Sequence, residues 1–139
     1  MREAGDNGAG DGLADATALG QAVREGRTTA SALMQESLDR ARKDKLGAIA
    51  YLDEEMGLSA AAAFDKRLAE GACDIGVTPF AGVPFLAKGL GNAAKGLPVH
   101  AGSKAIAARV GKPERDSLIF ERFRRAGLLP FGVTSCPSF

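Results

Sequence analysis

The stretch AGVPFLAKGLG, residues 81–91, decides how the chain is read. Five uncharged residues, Val83 to Ala87, run into Lys88 and then into a glycine. A short apolar run bounded by turn residues reads as a buried strand. The stretch therefore sets an amine at a strand's end. A lysine with the reference pKa of ~10.4 is cationic at neutral pH, and desolvation disfavours that charge. The glycine-rich residues that follow let backbone approach closely enough to enclose an ammonium group. Two states of Lys88 follow: a strand-end lysine reaching solvent, the usual fate of the residue type, or a dry amine that accepts a proton as general base.

Downstream, GLGNAAKGLPVHAGS (89–103) holds four glycines and one proline, so no regular element fits. A loop of this length in a compact domain is more often functional than idle. A short helix is expected from Ser103 to Arg109. Asp116 is expected to cap the next helix, with Ile119, Phe123 and Ala126 as its apolar face, Glu121 paired to Arg125 four residues on, and Gly127 as the stop. LLPFGV (128–133) reads as another buried strand. Pro84 removes one ladder donor, so it belongs at its strand's start or where its nitrogen faces no partner.

Upstream, Asp15 can cap a helix through Arg24 with Leu19, Ala22 and Val23 on one face and Gly26 beyond it. Thr28 or Thr29 caps a second, whose stripe is Ala30, Leu33, Met34, Ser37, Leu38 and Ala41. AIAYL (48–52) suits a strand buried on both faces. A third helix is expected from about Glu54 to Glu70, where Ala61, Phe64 and Leu68 recur at helical spacing. A loop through Gly76 and Pro79 then leads to the strand before Lys88. Residues 1–13 carry glycines and acidic residues with little to bury and read as a flexible tail. The alternation of helices and apolar strands points to an α/β fold, a mixed and mostly parallel sheet covered by helices, with helical crossovers.

The whole chain has 139 residues, 45% hydrophobic and 25% charged, an ordinary globular balance. A net charge of +1 gives no general pull toward nucleic acid or an anionic membrane. Lys104 to Arg125 holds seven basic against three acidic residues, a solvated helix face without the interleaved aromatics of a single-strand binder. Cys73 and Cys136 lack the spacing of a zinc or redox motif and suit a reducing compartment. No segment has the ~20 apolar residues of a spanning helix or a leader's apolar core, so the cytoplasm is the default location.

Other constellations are weaker. GLGNAA (89–94) matches half of a dinucleotide fingerprint, but Gly96 and Pro98 deny it the helix that would hold a pyrophosphate. No phosphate loop and no G-x-S-x-G elbow occur. His100, the sole histidine, sits beside Ala101 and Gly102 in the loop and reads as solvated or structural. Cys136 with His100 forms the drawing of a cysteine-protease pair without a third orienting residue.

FAGVPFLAKGLGNAAKGLPVHAGS (80–103) followed by RDSLIFERFRRAGLLPFGVTSCPSF (115–139) resembles the N-terminal third of the amidase signature family, serine hydrolases of carboxamides. The ordered features are an apolar strand ending in lysine, a glycine-rich loop closing in Gly-Ser, an Arg-Asp-Ser helix start, and a strand leading to a Thr-x-x-Pro turn. The upstream DATALGQAVREGRTTASALMQESLDRARKD (15–44) looks like that family's paired N-terminal helices. The likeness spans about residues 14–139. It implies a helix-wrapped mixed sheet and a Ser, cis-Ser, Lys triad in which the lysine relays protons through one serine to the nucleophilic one, with no metal or organic cofactor.

Only Lys88 falls on a triad position here. The segment bearing both serines would lie beyond Phe139, so residues 14–139 are expected to be the N-terminal portion of one amidase domain, and neither Ser103 nor Ser135 replaces them. Gly89 stands where aspartate commonly follows the lysine. Val99 and His100 stand for a usual threonine pair, Val133 for a frequent lysine, and Ser138 for a common glutamate. The resemblance implies hydrolysis of a small-molecule amide through an acyl-serine, with Lys88 as base. The alternative is a catalytically silent fragment or interaction module. With strand 128–133 expected to show an uncovered edge and face, the isolated chain is expected to pack loosely or aggregate. Neither the particular amide nor the oligomeric state is written in these residues.

Overall fold

A computed structural model describes residues 14–74 and 78–137. The expected flexible tail, Gly76 and the departure at Ser138 lie outside the described residues. The element order is α1 (Ala16–Arg24), α2 (Ala30–Arg42), β1 (Ile49–Leu52), α3 (Glu54–Ala69), β2 (Val83–Lys88), α4 (Lys104–Val110), α5 (Leu118–Arg125) and β3 (Leu128–Thr134).

The strands form a mixed sheet in the order β1-β3-β2, with β2 parallel to β3 and β1 antiparallel to it. LLPFGVT is apolar almost throughout because it is the central strand: Leu128 to Val133 are all buried. Pro130 within it cannot donate to a ladder, and the parallel register skips at this point, Phe85 opposing Pro130 while Leu86 opposes Gly132. On the other side β1 begins its pairing at Gly132, beyond the proline. Gly132 is required for that approach, since a Cβ there would lie 2.6 Å from the Tyr51 carbonyl oxygen and 2.9 Å from Cδ2 of both Leu52 and Leu86.

The sheet separates two apolar clusters. One face carries Leu129 and Phe131 against Met34 and Leu38 of α2 and Ala61 and Phe64 of α3. The other carries Ala87 and Val133 against Phe120 of α5 and against Ala94 and Leu97 of the glycine-rich loop. Phe85, Phe120 and Phe123 stack there with ring centroids 5.2–6.2 Å apart, contacts worth about 0.5–1.5 kcal/mol each beyond area burial.

Helix starts follow the expected capping chemistry. Asp15 accepts from the Ala18 N–H, Thr29 from Ala32, Asp53 from Met56 and Ser103 from Ile106. The second helix has an additional cap from its neighbour: the Asp65 carboxylate accepts from the Ala30 N–H at 2.8 Å, the Ser31 N–H at 2.9 Å and the Ser31 hydroxyl at 2.6 Å. A negative group at a helix N-terminus also complements the helix dipole. One side chain thereby locks α3 to the start of α2.

Four expectations are corrected. The strand at 49–52 is not buried on both faces: it lies at the edge of the described sheet, none of its four residues is buried and Ala50 is exposed, because the two packed clusters centre on β3 and β2. Its pairing with β3 is antiparallel, so the parallel crossover holds for β2 and β3 alone. Strand 128–133 presents no uncovered edge, since both are paired, and among the described residues the outer strands are β1 and β2. On α5 the buried residue is Phe120, while Ile119 is 41% exposed. The aromatic area of Phe120 and Phe123 turned the helix away from the aliphatic alternative.

Replacing Asp65 by Ala strips three donors at the start of α2 of their acceptor. Urea unfolding is expected to show a loss of roughly 1–3 kcal/mol; a loss below about 0.5 kcal/mol would mean that Thr29 and water suffice there.

Candidate active site

Lys88 closes β2 opposite Thr134, the last residue of β3. Successive strand side chains take opposite faces. Leu86 packs on the α2–α3 cluster and Ala87 on the α5 cluster, so Lys88 falls on the α2–α3 face and Gly89 on the other. Lys88 is exposed, and among the described residues no carboxylate is within ion-pair distance of it. The dry amine expected from the sequence is therefore not formed by these residues. The reason is the path of the loop: residues 89–103 fold over the α5 face, where Ala94 and Leu97 are buried, and do not enclose Lys88, which is exposed at the end of β2.

That loop is pinned throughout. Ala101 donates to the Gly89 carbonyl at 2.7 Å, Gly96 to Pro113 at 2.9 Å and Ser117 to Ala93 at 2.8 Å. Asp116, expected as the cap of α5, instead accepts from the Lys95 N–H at 2.7 Å and pairs with Arg124 at 2.7 Å. Ser117 takes the cap position and makes no side-chain cap bond. Arg124, in the last turn of α5, thus pairs back to Asp116, two residues before the helix starts, in place of the expected Glu121–Arg125 pair. Burial pushes the Asp116 carboxyl up, but the Arg124 guanidinium and the Lys95 N–H outweigh it and hold it below the usual carboxylate range.

At the loop's far end the His100 ring lies against Gly89. Its Nδ1 accepts from the Gly102 N–H at 3.1 Å and its Nε2 is 3.1 Å from the Thr134 carbonyl oxygen. An amide N–H only donates and a carbonyl only accepts, so these contacts assign the Nε2–H tautomer. Cys136 Sγ is 4.0 Å from Nδ1 and 3.5 Å from the Gly89 carbonyl oxygen. The structure brings the cysteine and histidine together, yet the Nδ1 lone pair is already taken by Gly102. The pair has no acceptor left for a thiol proton, which agrees with the structural reading of His100.

Beside this cluster a cavity of about 570 Å³ opens between β1, the loop and α4, lined by Tyr51, Pro98, His100, Ala107, Lys112 and Cys136 among others. Lys112 Nζ stands 4.9 Å over the Tyr51 ring and donates to its hydroxyl at 2.6 Å, which raises the ammonium above its usual value. Lys88 does not line this cavity. Neither does the cavity supply a nucleophilic serine: Ser103 Oγ caps α4, and Ser135 Oγ donates to the Gly47 carbonyl at 2.6 Å. Among the described residues no three His, Cys, Asp or Glu side chains are grouped to hold a metal, and no helix is long and apolar enough to cross a membrane.

The family described as amidase matches residues 32–139. The chain belongs to the amidase family. Among curated relatives, a glutamyl-tRNA(Gln) amidotransferase subunit from Salinispora arenicola is 36% identical over 134 residues, covering 91% of this chain and 26% of the relative. The subunit of the same name from Bordetella bronchiseptica is 32% identical over 123 residues, covering 88% and 23%. Among solved structures, an amidase superposes with TM-score 0.73 at 33% identity, covering 88% of this chain and 27% of its own. The peptide amidase from Stenotrophomonas maltophilia superposes with TM-score 0.74 at 26% identity, covering 88% and 25%. The chain thus spans about a quarter of the length of these amidase-family proteins, and its mixed sheet with helices on both faces is the corresponding part of their fold.

The sequence marked Lys88, Gly89 and His100 but not the contact between the last two, which lie at opposite ends of the loop. Nor did it connect Asp116 with Lys95. The available signal was that a carboxylate just before a helix also stood eight residues from an arginine in that helix's last turn.

Asp116 has a depressed folded-state pKa, so its stabilisation is complete above the unfolded value near ~3.9 and is lost as pH falls through the folded value. Asp116→Asn is expected to be less stable than the parent at pH 7, and the gap should close as pH falls below the unfolded value of ~3.9 and through the folded one. Urea titrations of both proteins across this range check it; a gap independent of pH would contradict the ion pair.

Proposed function

We propose that this chain is the lysine-bearing N-terminal portion of an amidase domain that hydrolyses the C–N bond of a small carboxamide, with Lys88 as general base. The observation that carries this is the placement of Lys88: the exposed end residue of a strand paired to the central strand, with no carboxylate among the described residues within ion-pair distance. A chain that spans a quarter of its relatives leaves room for the remainder of such a domain to cover that strand end and dry the amine.

In this reading, neutral Lys88 takes a proton from a bridging serine, which takes one from the nucleophilic serine. The serine oxygen attacks the amide carbonyl, and the tetrahedral intermediate expels the amine, to which the relayed proton returns. Water then releases the acid from the acyl-serine by the same relay. Both serines belong to the part of the domain outside these 139 residues, so the chain by itself is catalytically silent. The exposure of Lys88 favours that statement, because these residues alone do not enclose the amine. The names of the neighbours, an amidase and a peptide amidase, support an amide as the substrate class. The cysteine usage fits the reducing cytoplasm.

The test is Lys88→Ala in a complete domain carrying this chain, assayed on simple carboxamides. Loss of the base is expected to lower kcat by on the order of 10²-fold or more. Activity within a few fold of the parent would overturn the proposal.

A further inference from the structure

We infer that His100 is the positioning residue for the strand end that carries Lys88, and that it holds this place only because residue 89 has no side chain. A Cβ built on Gly89 would lie 2.0 Å from His100 Nε2, 2.5 Å from Cε1 and 2.6 Å from Cδ2. The imidazole fills the volume that a side chain at 89 would need. Gly89 is not among the glycines with positive φ, so space rather than backbone conformation demands glycine here.

The ring is held from both of its nitrogens, and each bond reaches a different part of the site. Through Nε2 it donates to the Thr134 carbonyl, the same oxygen that accepts from the Gly89 N–H at 3.3 Å. One carbonyl at the end of β3 therefore gathers both the backbone just after Lys88 and the ring. Through Nδ1 it accepts from Gly102, while the His100 carbonyl accepts from Ser103 at 2.7 Å. Between them Ala101 has φ 44°, the sole positive-φ residue other than glycine among the described residues. A left-handed alanine is strained and persists only where its surroundings over-determine it. Here the turn brings the Gly102 N–H back onto the ring. Ala101 also donates to the Gly89 carbonyl, and Cys136 Sγ approaches that same oxygen.

The result is an interlock. A side chain at 89 and an imidazole at 100 exclude one another, and with the imidazole present the ends of β2, β3 and the loop share one set of bonds. The link to the chemistry of Lys88 rests on the proposed function. The interlock does not, so a failed Lys88→Ala test would leave the experiment below unaffected.

The test is a double-mutant cycle in the 139-residue chain: parent, Gly89→Ala, His100→Ala and the pair together, each followed by urea unfolding. In the parent background Gly89→Ala is expected to lower the folded-to-unfolded ratio by roughly 10-fold or more, as overpacking does. In the His100→Ala background the same change is expected to cost less than about 3-fold, because the obstructing ring is gone. Equal losses in both backgrounds would overturn the interlock. If Gly89→Ala does not fold, a folded double variant supports it and an unfolded double variant beside a folded His100→Ala overturns it. Independently, imidazole ¹⁵N shifts of the parent at about pH 8, where an ordinary histidine is neutral, should show a single Nε2–H tautomer. An Nδ1–H tautomer, or fast averaging of the two, would contradict the assigned bonds, whereas a ring that merely filled space would have no reason to choose.

Discussion

The structure depends on one constraint: LLPFGVT must be covered on both faces and paired along both edges at once. Burying a side chain such as leucine, valine or phenylalanine contributes about 1.5–3 kcal/mol, and this strand places such residues on both faces. That requires α2 and α3 on one side and α5 with the loop on the other. The strand's two local irregularities serve the same end. Pro130 coincides with the skip in the parallel register, and Gly132 admits β1 where any side chain would meet the Tyr51 carbonyl.

From that constraint the site follows. Parallel strands leave their carboxyl ends on one side of the sheet, where α/β proteins gather their functional groups. Here the ends of β2 and β3 are in register, Lys88 beside Thr134, and strand alternation sends Lys88 and Gly89 to opposite faces. The loop needs an apolar surface for Ala94 and Leu97 and finds it on the α5 face. The lysine is thereby separated from the loop that sequence reasoning expected to enclose it. Lys88 itself is held in the ladder opposite Thr134, and the imidazole packed against Gly89, the next residue, comes from the loop 89–103.

Local chemistry was the legible part of this fold. Asp15, Thr29 and Ser103 cap the helices they were expected to start, because a short oxygen-bearing side chain before an apolar-periodic segment has a near-neighbour donor to accept from. The strand ending at Lys88 and the strand at 128 were visible for the same reason, as apolar runs bounded by glycine. What the sequence hid was set by partners distant along the chain. AIAYL has the composition of a buried strand, but its direction and its place at the edge of the described sheet depend on which strand it meets. Asp116 looked like a cap because a carboxylate precedes the helix, yet Arg124 and the Lys95 N–H were stronger claimants than the helix's own donors. Leu118, Ile119, Phe120 and Phe123 allow two buried faces, and Phe85 decided between them. Of the candidate site, the lysine was legible as a residue. Its exposure was not, since that depends on which face the loop chooses.

Lys88 is exposed in these residues, and the proposed role as base requires the remainder of the domain to cover it. Reductive methylation followed by mass spectrometry measures this directly, in the 139-residue chain and in a complete domain that carries it. The account predicts that Lys88 is modified as readily as exposed Lys45 in the chain alone and is protected in the complete domain. Equal, rapid modification of Lys88 in both proteins would contradict it, because an amine open to water in the finished enzyme could not serve as the base.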